Sequence, residues 1–170
     1  SYDQKTSDAV ANLLVCLLLG KSHEDNGQDP DSHFKSLDSL ALPASALTLH
    51  RDVRKSCVSS LILMRNKCKL PTLRLWELFY RVMAVSPDKG LREQLYKHIV
   101  NDVRNINKKG KADEKVNRSV QAFLHKVVAS TVKTKNNKDI ELDDTTKFAT
   151  KRAVDMIAEL YRKKVWTDDR

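Results

Sequence analysis

Lys97, Asn101, Arg104 and Lys108 recur at intervals of four, three and four residues, a spacing that stacks side chains along one side of an α-helix. Three of them are cations, and the amide of Asn101 between them can donate to a phosphate or to a ribose hydroxyl. Lys109, Lys111, Lys115 and Arg118 follow, grouped around a turn expected at 107–112 with Gly110 as its breaker. Side chains of these types in this arrangement suit a polyanion, because each neutralised phosphate releases counterions and makes binding salt-dependent. Tyr96 is the only aromatic residue between Leu91 and Arg118, so base stacking of the kind used by single-strand binders contributes little. Recognition of folded RNA through shape and phosphate is the better physical match. The plain alternative is a lysine-rich surface that only faces water.

No other chemistry competes with this face. His23, His33, His50, His98 and His125 are scattered, without an HExxH pattern or a cysteine at ligand spacing. His98 reads as a partly buried edge histidine, and Asp102 one turn later as a local helix contact for it. Asp143 and Asp144 are accounted for by a helix N-cap. There is no phosphate-cradling glycine loop and no GxSxG motif. Cys16, Cys57 and Cys68 are separated by 41 and 11 residues, which matches neither a zinc site nor a redox pair. The first two fall inside apolar helical patterns and read as buried thiols of a reducing compartment. Asn117-Arg118-Ser119 matches the glycosylation sequon, but it lies in a predicted helix of a chain with no secretory signal. The apolar run from Leu13 to Leu19 is too short to cross a bilayer. We therefore expect no enzyme activity, cofactor, metal, small-molecule substrate or membrane partner.

The elements that must position the cations are helices. Of 170 residues, 41% are hydrophobic and 31% charged, with only four glycines and four prolines, a composition for a helical globular chain. Residues 1–50 carry three basic and seven acidic side chains, a net −4, and residues 139–170 a net −1. Residues 51–138 carry 21 basic and seven acidic, so their +14 contains the whole excess behind the net charge of +9. Such a concentrated field favours a polyanionic partner.

Periodicity predicts helices over 6–21, 31–40, 47–66 and 71–85, then one launched by Ser86-Pro87-Asp88, one opened by Asp113-Glu114, and a last one capped by Asp143 or Asp144. The expected core faces are Ala9, Leu13, Leu14, Leu17 and Leu18 in the first helix, and Leu47, His50, Val53, Cys57, Leu61 and Met64 in the third. Those of the last are Val154, Ile157, Ala158, Tyr161 and Val165. The helix over 71–85 is apolar nearly all round and should be sandwiched between neighbours. The helix carrying the cations has a second stripe, Leu91, Leu95, Ile99, Val103 and Ile106, for a core. Residues 22–31 and 133–143 read as polar loops. Seven helices with short connections read as an all-α fold of stacked helical hairpins, a HEAT- or armadillo-like α-solenoid fragment, with a compact helical bundle as the alternative. The chain is one such domain or a segment of a longer one.

Three blocks, ILMRNK at 62–67, LREQLYKHIVNDVRNIN at 91–107 and AVDMIAELYRKKVWTD at 153–168, together resemble the SDA family, named for severe depolymerisation of actin. The blocks stand in the family's order, and the resemblance extends over about 50–170; the segment 133–146 resembles an insertion. It implies a nuclear and nucleolar helical-repeat protein without catalytic activity. Such a protein joins a pre-ribosomal particle and aids late maturation and nuclear export of the large subunit; with the helix-face argument, this gives ribosomal RNA and neighbouring assembly factors as the expected partners. Effects on actin would be indirect. A helical-repeat adaptor that binds proteins only is the alternative.

Overall fold

The computed structural model describes residues 2–19, 48–67, 70, 72–108, 113–136 and 144–166. Among them the regular elements are six α-helices and no strand: α1 (Tyr2–Leu19), α2 (Arg51–Lys67), α3 (Thr72–Val85), α4 (Lys89–Ile106), α5 (Glu114–Asn136) and α6 (Asp144–Arg162). The helix expected at 31–40, the loop at 22–31 and Cys68 lie outside the described residues. Helix α5 continues through Asn136, so the polar segment expected from Lys133 is helical in its first four residues.

Two compact units divide the chain, Ser1–Arg92 and Glu93–Arg170. In the first, α1 packs along α2, with Val15, Cys16, Leu18 and Leu19 of one and Cys57, Val58 and Leu61 of the other buried. Burial also raises the pKa of the Cys57 thiol, offset in part by a backbone hydrogen bond. In α3, Leu75, Trp76 and every residue from Leu78 to Ala84 are buried, as its all-round apolarity predicts. In the second unit α5 and α6 form the packed pair. Val120, Leu124 and Val127 of α5 are buried, as are Ala149, Ala153, Met156 and Leu160 of α6. Each fully buried aliphatic side chain of this size contributes about 1.5–3 kcal/mol of transfer free energy.

The faces of three helices differ from expectation. In α1, Leu13 and Leu17 remain 46% and 42% exposed, while Ala11, Val15, Cys16, Leu18 and Leu19 turn inward. In α2, Val53 is exposed and Arg54 is buried with Cys57, Val58 and Leu61; the Arg54 guanidinium donates to the Leu49 carbonyl at 2.9 Å. In α6, Val154 and Tyr161 are 50% and 41% exposed. The inward face there begins with two alanines, whose small side chains let a neighbouring helix approach closely. Each of these helices has apolar residues on more than one side, so periodicity alone leaves the phase undecided.

Helix starts follow their capping side chains. Asp88 Oδ1 accepts from the backbone N–H of Gly90 at 2.9 Å and of Leu91 at 3.2 Å, so within the Ser86-Pro87-Asp88 start it is Asp88 that caps α4. Ser86 Oγ instead accepts from the Asp88 N–H at 3.3 Å. Asp113 caps α5 by accepting from the Val116 N–H at 3.0 Å.

Candidate nucleic-acid interface

Helix α4 separates its two stripes as their spacing requires. Leu91, Leu95, Ile99 and Val103 are buried and Ile106 at the helix end is half-buried, whereas Lys97, Asn101 and Arg104 are exposed, with Lys108 exposed just past the helix end. On α5, Lys115 and Arg118 are exposed as well. Lys109 and Lys111 lie outside the described residues.

Two of the cations have carboxylates of their own. Glu93 reaches Lys97 at 3.9 Å, and Glu114 reaches Arg118 at 3.4 Å. Both are i,i+4 pairs between exposed side chains, a class that contributes about 0.3–0.5 kcal/mol and yields readily to a competing anion. Among the described residues, Arg104, Lys108 and Lys115 make no ion pair. These three are the cations most open to phosphate.

Side-chain amides join the end of α4 to the start of α5. Asn107 Nδ2 donates to Asn117 Oδ1 at 2.9 Å, and Asn117 Nδ2 donates back to Asn107 Oδ1 at 2.7 Å. Asn107 Nδ2 also donates to the Val103 carbonyl at 2.7 Å, one turn back in α4. The indole N–H of Trp166 donates to the same Asn117 oxygen at 3.3 Å. Trp166 is delivered there by the end of α6. Lys164 adopts φ 53°, its N–H bonds the Tyr161 carbonyl at 2.8 Å, and the Val165 N–H bonds that of Leu160 at 3.0 Å. This is a Schellman ending, which reverses the chain. The Trp166 ring then meets Tyr161 edge to face at 6.0 Å. The sequon is occupied by the same network, since the Asn117 amide is paired and the Ser119 hydroxyl donates to the Lys115 carbonyl at 3.0 Å.

A second network ties α4 to α6. The Tyr96 hydroxyl donates to Glu159 at 2.7 Å, and Lys163 pairs with the same carboxylate at 2.7 Å. Burial first, and the Glu159 carboxylate second, push the Tyr96 phenol well above the usual tyrosine range. Lys163 first and Tyr96 second hold the Glu159 carboxyl below its ordinary value. The Arg152 guanidinium lies 5.1 Å from the Tyr96 ring centre and 5.4 Å from that of Phe148, and reaches Glu93 at 3.6 Å. Tyr96 is thus a structural residue, not a stacking platform.

His98 is half-buried and Asp102 buried. Among the described residues no cluster of three His, Cys, Asp or Glu side chains could hold a metal ion, and no helix is long and apolar enough to cross a membrane. Sequence reasoning found the exposed cations, and an apolar pattern places Trp166 in the core, where it is buried, but the hydrogen bonds that join Asn107, Asn117 and Trp166 were missed. The one available signal was a pair of asparagines ten residues apart astride a turn.

A family model described as SDA1, HEAT repeat matches residues 31–170. The Protein SDA1 homolog of Drosophila melanogaster is 38% identical over 125 residues, 74% of this chain and 15% of that relative. The Dictyostelium discoideum homolog is 34% identical over 137 residues, 81% of this chain and 16% of the relative. Protein SDA1 of Chaetomium thermophilum is 32% identical over 141 residues, 83% and 16% respectively. The chain therefore spans about one sixth of the length of these curated relatives.

Proposed function

The chain belongs to the SDA1 HEAT-repeat family, and on that premise we propose that it is a non-catalytic scaffold segment in large-subunit ribosome biogenesis and nuclear export. It is an all-α segment of a helical-repeat protein, and the family is not known as an enzyme family. In our reading the α4–α5 face rests on the phosphate backbone of folded pre-ribosomal RNA in the nucleolus and nucleus, while other faces meet neighbouring assembly factors. The observation that carries it is the exposure of Arg104, Lys108 and Lys115 without ion pairs among the described residues, beside Lys97 and Arg118, on a helix whose other side is buried. A protein surface held only for solubility does not require uncompensated cations gathered at one helix turn.

The second reading is an adaptor without RNA contact. The half-exposed Val154 and Tyr161 on α6 favour it, because apolar residues in line on an open helix face suit another helix.

Ultraviolet cross-linking of the full-length protein in nuclear extract separates the two. Peptides spanning 97–118 joined to nucleotides support RNA contact. Cross-links to protein only, with the chain still sedimenting with pre-ribosomes, support the adaptor. Sedimentation solely as a free protein contradicts both.

A further inference from the structure

Five cations from two helices form one patch only if the helices meet at a fixed angle and register. The sequence of the turn does not enforce this, since 107–112 contains Gly110 and three lysines. The constraint comes from side chains instead. Asn107, at the end of α4, and Asn117, in the first turns of α5, hold each other through two hydrogen bonds. Asn107 stands three residues after Arg104 and one before Lys108. Asn117 stands two residues after Lys115 and one before Arg118. The pair therefore stands among the cations along the chain, close to each helix end that carries them, without contributing charge. A third group locks it: the Trp166 indole, 49 residues away in sequence, donates to the Asn117 oxygen, and Trp166 is itself buried. Asn117 Oδ1 thus accepts from two donors on two other segments, which fixes its rotamer and orients the amide it presents to Asn107.

We propose that Asn107, Asn117 and Trp166 form a positioning clamp that presets the α4 and α5 cations as a single surface for the phosphates of folded RNA. This rests on the reading of that face as an RNA contact. Preorganised cations engage several phosphates at once, whereas the same cations on a loosened turn engage fewer and bind less tightly. None of the three clamp residues touches the ligand.

The test uses the chain with a fluorescein-labelled RNA stem–loop, titrated over a range of salt. Asn117→Ala and Trp166→Phe keep every cation. The clamp predicts that Asn117→Ala weakens binding about tenfold and flattens the slope of log K against log salt by about one phosphate contact, with helix content by circular dichroism retained. Trp166→Phe keeps the ring but not the donor, and produces a smaller change in the same direction. A role confined to stability would lower the melting temperature of both variants and leave the slope of the folded protein unchanged. Wild-type slope and affinity in both variants overturn the clamp. If Arg104→Glu/Lys108→Glu/Lys115→Glu still loses binding in that case, the RNA face stands without it. If the charge reversal also binds like wild type, the face and the clamp fall together. Should Asn117→Ala not fold, Trp166→Phe and Asn107→Ala carry the same comparison.

Discussion

Asn107 and Asn117 exchange hydrogen bonds in both directions across the turn between α4 and α5. A reciprocal amide pair is more demanding than a single bond, because removing one partner strands a donor and an acceptor on the other.

That asymmetry predicts non-additive stability. Asn107→Ala and Asn117→Ala should each cost about 1–2 kcal/mol, and the double variant less than the sum, with a coupling of about 1 kcal/mol. Urea unfolding of the four proteins measures the cycle, and strict additivity would mean that the pair is not formed in solution.

The reversal after α6 predicts a stabilising substitution. Lys164 holds φ 53°, a left-handed conformation that costs a residue with a Cβ about 1–2 kcal/mol and that glycine adopts freely. Its side chain is exposed. Lys164→Gly should therefore raise stability by about 0.5–1 kcal/mol, after the extra entropy that glycine loses on folding. An unchanged or lower melting temperature would argue against the left-handed ending.

The start of α4 carries a pH dependence. The Leu91 N–H, the Arg51 guanidinium at 2.8 Å and the Gly90 N–H hold the Asp88 carboxyl below the usual carboxylate value, against some desolvation. A depressed folded pKa stabilises the native state at pH values above the unfolded value of about 3.9, and that stabilisation disappears as pH falls through the folded pKa. Asp88→Asn keeps a capping oxygen but does not titrate. Its deficit in melting temperature should be present at neutral pH and close as acid is added below about pH 4. A deficit independent of pH would show that the Asp88 charge has no part in it.

The two sides of α4 should respond differently to truncation. Leu95 is fully buried, so Leu95→Ala should cost about 2–5 kcal/mol. Lys97, two residues on, has a side chain 70% exposed, and Lys97→Ala should stay within about 0.5 kcal/mol. Chemical denaturation of both variants checks the assignment, and comparable losses would contradict it.

Helix α4 was legible from sequence because its stripes differ in chemistry, one aliphatic and one cationic, which leaves a single orientation that buries no cation. Helix α6 was legible as a helix but not in phase. Val154, Ile157 and Tyr161 are larger and more apolar than Ala149 and Ala153, yet the alanines face inward, because packing against α5 rewards close approach over side-chain size. The asparagine clamp was not legible. Its members become neighbours only where the end of α4 meets the start of α5 and the chain reverses at Lys164, and no local pattern encodes either.

Contact between the α4–α5 cations and RNA phosphate is read from the salt dependence of binding. With three to five cations engaged, log K against log salt should have a slope of about −2 to −4, a loss of about 15- to 250-fold between about 50 and 200 mM. Arg104→Glu/Lys108→Glu/Lys115→Glu should abolish most of that slope. An affinity for the RNA stem–loop that ignores salt, or that the triple variant shares with the wild type, would contradict it.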